Sequence, residues 1–579
     1  MKSFATHRMN MLLKGQAFGA VGALVWRLSD MVVAGNIVGV DALAGIAATI
    51  PVFIGAQFLA KMVYCGAGYL FAKRQGEFEP EKAREVVGTA LEAAIAVGVL
   101  SFCAMYFGRD LYLDVMGITG EVRAQAVAYW RWMMFFVALN PFTMAMWRLV
   151  YADGETVTTA IGDLSAPFLV VCLSILFTKM TGSAAGSALG TLVGGFIADS
   201  IMMLHLLRKS NAVRPKWTLS WRAVRELASY STTDASARLC QCAFMAVLNR
   251  LIVSFASVAY LPVVGMIALI LELREVLDRI GDAYMPIAEM YLGEGNVPRL
   301  KELANYAARL SVVIGLAFMA AVAALAPQIV AGYGIPRGEV FDHSVYALRI
   351  CSLVLPFSSV LTFFSSHYLA MDRIRLSIVE TVAEEFLLTA GCSMGLCYLW
   401  GLRALWFGIP LGGLLTLVMI IAYSRRVDPD GYPMLIPALR GGALNLTFRP
   451  VAERIVEVRD AAERFLLGKG VSGETVRKIM LLVEECAMTV ADDNDRRKGV
   501  LSEVSFVVSD EETRMVVRDT GKLRDITDSD ARVSSLRSFV ISGLMRSYEN
   551  RRYLTTIGCN RAAFSFRTAV VGLHHPDGK

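Results

Sequence analysis

The chain has 579 residues; 55% are hydrophobic, only 19% are charged, and the mean hydropathy is +0.51. Soluble proteins carry about 25% charged residues, so this balance argues against a wholly soluble chain and for a lipid-facing surface. The formal net charge of +6 is too mild to point to a nucleic-acid partner, and none of the ten cysteines has CxxC spacing, so no metal centre is expected.

Residues 1–13 carry a few basic side chains and no small-residue cleavage pattern, and read as a cytoplasmic lead-in to a retained helix. Apolar runs then recur as far as Arg425. A bilayer core of ~30 Å takes about 20 helical residues, and in lipid the backbone must satisfy itself, so these runs are helices. Twelve spans are expected, at about 10–35, 42–71, 85–107, 121–150, 157–179, 183–208, 228–257, 260–291, 299–328, 343–371, 377–400 and 403–424. Cytoplasmic loops concentrate Lys and Arg. Alternate loops hold Lys73, Arg74, Lys82, Arg84, Arg208, Lys209, Arg214 and Lys216, against Arg109, Arg123, Lys179, Arg337 and Arg403 opposite. The chain therefore reads as a multi-pass protein of the inner or plasma membrane with both termini cytoplasmic.

Ionisable residues at membrane depth are costly and mark candidate sites. Asp30 and Asp163 come first, as carboxylates that could couple solute exit to cation entry; an interhelical bond to a residue such as Arg27 is the plainer reading of Asp30. On the eighth span Glu272, Glu275, Arg279 and Asp282 fall within one stripe of about 80°. That stripe lines a cavity or forms a salt-bridge network, with Asp234, Arg238 and Arg250 of the seventh span as partners. Glu380, Glu384 and Glu385 on the eleventh span are weaker candidates of the same kind. Pro141, Pro286 and Pro356 are expected to kink their helices.

The stretch GNIVGVDALAGIAATIPVF…KRQGEFEPEKAREVVGTALEAAIAVGVLSF is echoed about 215–220 residues later by SFASVAYLPVVGMIALILE…MYLGEGNVPRLKELANYAARLSVVIGLAF. Each copy has two long helices and an inner Gly-Glu loop followed by a basic amphipathic segment. Six helices per copy preserve orientation, and two such bundles usually enclose a substrate cavity. With Asp30 in LSDMVVAGNIVGVDALAGI, the RQGEFEPEKAREV loop and this repeat, residues 5–425 resemble the multidrug and toxic compound extrusion (MATE) family. The resemblance implies a cation site in the N-terminal lobe, made by an acidic residue on the first helix and another on the fifth, four positions after an Asn. Asp30 matches the first and Asp163 the second, with Thr159 in place of the Asn.

After Gly441 the long apolar runs vanish. The expected organisation is a membrane domain over 1–426, in lobes of about 1–210 and 211–426, a linker over 427–444 and a soluble domain over 445–579. That domain reads strand, helix (VAERIVEVRDAAERFLL), helix after the N-cap Ser472 (GETVRKIMLLVEECAMTVADD), two strands (VSFVVS, RMVVRDT), helix (SSLRSFVISGLMRSY) and two strands (RRYLTTI, AAFSFR), an α/β sandwich of mostly antiparallel strands. With LLVEECAMTV, VVRDTG and IGCNRAAFSF in this order, it resembles the histidine-kinase-like ATPases, the anti-sigma-factor serine kinases above all. The resemblance implies ATP and Mg²⁺ as ligands, Glu485 as the catalytic acid of the helix, and Asp519 with Gly521 as readers of adenine. Thr489 stands where that family has its metal-holding Asn, and Ser535 and Arg537 stand where it has lid glycines, which weighs against turnover. A strand-end turn is the plainer reading of Asp519-Gly521 taken alone.

Three functional readings result. The first is a secondary-active exporter of organic, cationic or amphipathic solutes coupled to H⁺ or Na⁺, with a nucleotide-binding-like regulatory domain. The second is a membrane signalling protein whose kinase-like domain binds a cytoplasmic regulatory protein. The third is a flippase for a lipid-linked precursor.

Overall fold

A computed structural model of the chain describes residues 3–76, 80–152, 156–207, 213–217, 221–429, 431–436, 442–494, 499–509, 511–522, 551–556 and 559–567. Arg27, Thr159, Asp163 and Asp234 lie on helices, but their side chains are outside the described set.

Helices occupy every apolar run: α1 (Phe4–Ile37), α2 (Val40–Gly76), α3 (Pro80–Met116), α4 (Gly120–Ala152), α5 (Thr156–Thr181) and α6 (Ala185–Met203) in the first half. The second half has α7 (Trp221–Phe255), α8 (Leu261–Leu277), α9 (Arg279–Gly293), α10 (Val297–Gly332), α11 (Glu339–Ser352), α12 (Leu355–Ala370), α13 (Ile374–Val382), α14 (Leu388–Trp400), α15 (Leu402–Leu405) and α16 (Gly408–Val427). Among the described residues nine segments are long and apolar enough to cross a bilayer alone, and ten if α11 and α12, bent by 44°, count as one. The three prolines differ in effect. Pro356 opens α12 just after that bend, where its missing N–H leaves no bond unmade, whereas Pro141 and Pro286 lie inside continuous helices.

Two compact units emerge, one of residues 14–281 and 308–423, the other of residues 1–13, 282–307 and 424–579. In the first unit α2 packs on α3, α4, α7 and α8. Lipid tails give no hydrophobic drive for helix association, so close backbone approach matters more there. The α5–α6 seam shows this: Gly186, Gly190 and Gly194 lie against the backbone of Thr178, Ser174 and Val170, where any Cβ would collide. The α14–α16 seam repeats it, with Gly408 on Ser393 and Gly412 on Thr389. Gly190 and Gly408 stand 218 residues apart, which is the spacing of the sequence repeat.

In the second unit a five-stranded antiparallel sheet is built from β1 (Gly442–Phe448), β2 (Ser502–Val508), β3 (Glu512–Asp519), β4 (Arg551–Thr556) and β5 (Cys559–Arg567), in the order β1-β2-β3-β5-β4. Two helices, α17 (Ala452–Gly468) and α18 (Gly473–Asp493), pack on one face through Ile455, Leu466, Ile479 and Val483 against Val504, Phe506, Met515, Val517 and Phe564. Ser472 caps α18, its Oγ accepting from Thr475 N at 3.3 Å. The described strands and helices of this mixed α/β region follow the expected order; the helix expected over 534–548, with Ser535 and Arg537, falls on residues outside the described set.

Replacing Gly190 by Val should overpack the α5–α6 seam and destabilise the chain by roughly 1–3 kcal/mol, read as a lower thermal midpoint of the detergent-solubilised protein. Gly391→Ala, where a Cβ meets nothing within 4 Å, is the control and should leave the midpoint in place.

Candidate functional site

Asp30 lies two turns before the end of α1 and is only 5% exposed. Its Oδ1 accepts hydrogen bonds from Thr191 Oγ1 of α6 at 2.6 Å and from Ser174 Oγ of α5 at 3.5 Å, and its Oδ2 accepts from Tyr129 OH of α4 at 2.8 Å. The glycine seam explains the convergence. Gly190 sits directly on Ser174, so that serine and the next residue of α6, Thr191, reach the same carboxylate. Tyr129 is held edge-on by Phe53, with ring centroids 5.6 Å apart. A hydroxyl can donate to an ionised carboxylate and accept from a protonated one, so this ring of three serves both states of Asp30. Asp163 belongs to α5, and its side chain is outside the described residues.

The charged stripe of the eighth span divides between neighbours. The expected span is broken at Asp278, between α8 and α9. Glu275 forms an ion pair with Arg238 of α7, whose Nη1 also donates to Gln241 Oε1 at 2.8 Å. Arg274 pairs with Glu384 at 2.8 Å and Glu385 at 2.9 Å. Glu272 is half-buried, within electrostatic reach of Tyr333. Arg250 donates instead to the carbonyl of Val115 at 3.4 Å. A shallow groove of about 380 Å³, lined by Trp132, Phe135, Leu139, Leu192, Val193 and Phe196, exposes no polar atom and offers no chemistry of its own.

In the α/β region, strand alternation sends Val504, Phe506, Met515 and Val517 to the helices and Glu503, Ser505, Arg514 and Arg518 to the other face. That face is not solvated. Glu503 and Arg518, paired directly across β2 and β3, are 0% and 1% exposed. The turn between α9 and α10 covers them, and Gly295 in it adopts φ +72°, a conformation that disfavours side chains. Glu294 of this turn is ion-paired to Arg518 and accepts from Arg561 Nε at 2.7 Å. Glu503 accepts from Arg518 Nη1 at 3.0 Å, Tyr291 OH at 2.7 Å and Arg299 Nε at 2.8 Å. The Arg518 guanidinium also lies 4.7 Å above the Tyr291 ring, and the amides of Asn296 and Asn445 bond reciprocally. Burial pushes Arg518 down to about 10 and the Glu503 carboxyl up, while the Arg299 guanidinium and the Tyr291 and Thr447 hydroxyls beside Glu503 work the other way.

The residues matched to the nucleotide site are tied up among themselves. Asp519 Oδ1 accepts from Gly521 N at 2.8 Å and Asn560 Nδ2 at 2.9 Å, while burial raises its carboxyl pKa. Lys522 N donates to Asn494 Oδ1 at 2.9 Å, and a Cβ on Gly521 would strike the Asn494 side chain. Thr489 Oγ1 donates back to the carbonyl of Glu485 at 2.7 Å, so the hydroxyl standing in for the metal-holding amide is spent on its own helix. Glu485 is half-buried on the same helix. Among the described residues no group of three or more His, Cys, Asp or Glu is placed to hold a metal ion. This arrangement does not fit a magnesium nucleotide, and no phosphoryl-transfer step follows from it.

Sequence reasoning did not find Tyr129, Ser174 and Thr191 around Asp30, because hydroxyls in apolar helices carry no periodic signal. It also left Glu294, Glu503 and Arg518 without partners. The legible clue was charge within an apolar strand setting, Glu503 just before VSFVVS and Arg514 and Arg518 in RMVVRDT. Glu294→Gln should leave Arg518 with Glu503 as its one carboxylate and Arg561 without Glu294, and destabilise this region by about 3–5 kcal/mol, as breaking a buried pair does. Faster amide hydrogen exchange in β3 of the full chain is the readout, and adding Arg518→Met should restore much of the protection; unchanged exchange in the single variant would contradict the role given to Glu294.

Comparison with known proteins bears on the membrane part. Residues 17–176 match the MatE family model. Over 175 residues the chain is 24% identical to the multidrug export protein MepA of Staphylococcus saprophyticus subsp. saprophyticus, a match covering 30% of this chain and 38% of that relative. An inward-facing multidrug resistance MATE transporter of the MOP superfamily superposes with a TM-score of 0.64 at 18% identity, over 71% of this chain and 98% of its own. The MATE multidrug transporter DinF-BH, solved in complex with rhodamine 6G, gives 0.62 at 16% identity over 75% and 99%. A MOP superfamily transporter from Pyrococcus furiosus, described by the reversed polarity of its binding pocket, gives 0.61 at 20% identity over 73% and 95%. The chain is thus a multi-pass membrane protein with the fold of the MATE transporters, followed by a separate α/β region.

Proposed function

We propose that this protein is a secondary-active transporter that exports organic cations or cationic amphipaths in exchange for H⁺ or Na⁺ bound at Asp30. The observation that carries the reading is a buried carboxylate ringed by hydroxyls from three helices, in a fold that multidrug transporters share. A charge there is costly unless a proton or cation offsets it, so occupancy of Asp30 biases the equilibrium between conformations. The multidrug names of the relatives, and the rhodamine complex of one of them, are the reason for choosing organic cations as the solute class.

The reading includes twelve spans, with α1 and the α8–α9 pair added to the ten, in lobes of about 1–210 and 211–426. The repeated glycine seams support it. A linker over 427–444 leads to a domain over 445–579, and the basic loops put both termini in the cytoplasm. That domain is a docked regulatory module of the histidine-kinase-like type without ATP turnover. The signalling alternative is the weaker one, because the polar sheet face that a cytoplasmic partner would need is filled by residues 291–299 of the same chain.

In reconstituted vesicles Asp30→Asn should reduce gradient-driven flux of rhodamine 6G by about tenfold or more, with an unchanged thermal midpoint; wild-type flux in that variant rules out the coupling role. Opposing H⁺ and Na⁺ gradients in separate arms identify the coupling ion. Added ATP should be neither hydrolysed nor needed for flux, and hydrolysis that disappears in Asp519→Ala would contradict the docked, non-catalytic domain.

A further inference from the structure

In the second half of the membrane body, buried carboxylates outnumber the cation beside them. Glu380, Glu384 and Glu385 are 1%, 3% and 9% exposed, and Arg274 is 6% exposed. Between α13 and α14 the chain makes a π-helical turn, Ala383–Leu387. In an α-helix adjacent residues point about 100° apart. The extra residue of a π turn changes that spacing, and such turns recur at functional sites. Here it lets Glu384 and Glu385, neighbours in sequence, both grip one guanidinium, their Oε1 atoms 2.8 and 2.9 Å from Arg274 Nη2. Glu384 also accepts from Ser358 Oγ of α12 at 2.6 Å. Glu380 lies one turn earlier, within electrostatic reach of Glu384, Glu385 and Arg274, and its fully buried Oε2 has no hydrogen-bond partner.

Among the described residues, the other groups packed around this cluster do not supply the missing positive charge. On α7, Arg238 is engaged by Glu275 and Gln241, and Cys240 near Glu385 carries no basic group. On α8 and at its end, Glu275 and Asp278 add negative charge, and on α12 the uncharged Ser365 bonds Ser377 and Thr381 and also reaches Glu380, while His367 packs on Phe363 and Tyr368. Three carboxylates facing one guanidinium leave two charges to be offset in a low-dielectric interior, where an unpaired ion costs several kcal/mol. Like charges this close cannot all ionise, and protons are the remedy that needs no additional ligand. The cluster also falls at a significant point of the repeat, for Glu380 stands 217 residues after Asp163.

We propose that Glu380, Glu384, Glu385 and Arg274 form a proton-holding site, with one exchangeable proton on Glu380 and one shared by the Glu384–Glu385 pair. This composition balances the site: Arg274 offsets the single charge left on the pair. The site rests on the transport reading only for its use, since its protons would be available to the same exchange as that at Asp30.

The test is pH-difference infrared spectroscopy of the full chain in lipid vesicles, reading the carboxylic-acid C=O stretch. Wild type should show titrating signals from protonated carboxyls in apolar surroundings. Glu380→Gln should lose one of them, Glu384→Gln should lose another while sparing the first, and Glu380→Asp should restore a titrating signal. Asp30→Asn should leave both in place, so failure of the Asp30 coupling and failure of this site are distinguishable. A Glu380→Gln spectrum superimposable on wild type, with the thermal midpoint unchanged, overturns the proposal, as would signals lost only in Asp30→Asn.

Discussion

A charge taken out of water must find a partner, and the arrangement of this chain depends on that requirement more than on any other. Ionised groups in an apolar interior are tolerated only where opposite charge or oriented hydrogen bonds replace the lost solvent. Asp30 meets the requirement with three hydroxyls, Arg274 with a pair of glutamates, and Arg518 with Glu294 and Glu503. These solutions differ in consequence. Fully paired ions fix one conformation, as around Arg518, whereas a carboxylate served by hydroxyls can change its protonation without losing its neighbours. The second kind suits a group that must be loaded and unloaded.

Small residues make the first solution possible. Without Gly186, Gly190 and Gly194, α5 and α6 could not approach closely enough for Ser174 and Thr191 to share the carboxylate of Asp30. The same device recurs between α14 and α16 at the repeat distance, with Gly408 and Gly412 against Ser393 and Thr389. The two seams are alike in packing while the charged groups near them differ. One half buries Asp30 on its first helix, and the other gathers its acids at a π-helical turn.

Much of this was legible in the sequence. The apolar runs anticipated the helices, and the runs VSFVVS and RMVVRDT anticipated two of the strands. Asp30 stood out because a lone carboxylate in an apolar helix is costly. Its partners did not, since Tyr129, Ser174 and Thr191 are ordinary residues of membrane helices whose role depends on tertiary packing. The stripe on the eighth span is interrupted by a break at Asp278; Glu275 pairs with Arg238 of α7, and Arg274 reaches Glu384 and Glu385 of the π turn, a contact that regular helix geometry does not foretell. Glu294 was visible only as part of a repeated Gly-Glu loop, because the sheet face it pairs with is more than two hundred residues away.

The α/β region reads from its sequence as nucleotide-binding, yet its polar groups are engaged within the chain. Arg518 and Asp519 are consecutive on β3 and face opposite ways, one into the ion network with Glu294 and Glu503, the other into a closed set with Gly521 and Asn560. Transport driven by an ion gradient, without nucleotide turnover, is the central claim. It is tested most directly by loading vesicles containing the purified full chain with a fluorescent organic cation and imposing an H⁺ or Na⁺ gradient in the absence of ATP. Efflux that starts with one gradient and stops when an ionophore collapses it is the predicted result. Efflux indifferent to both gradients, or dependent on added ATP, would contradict the account.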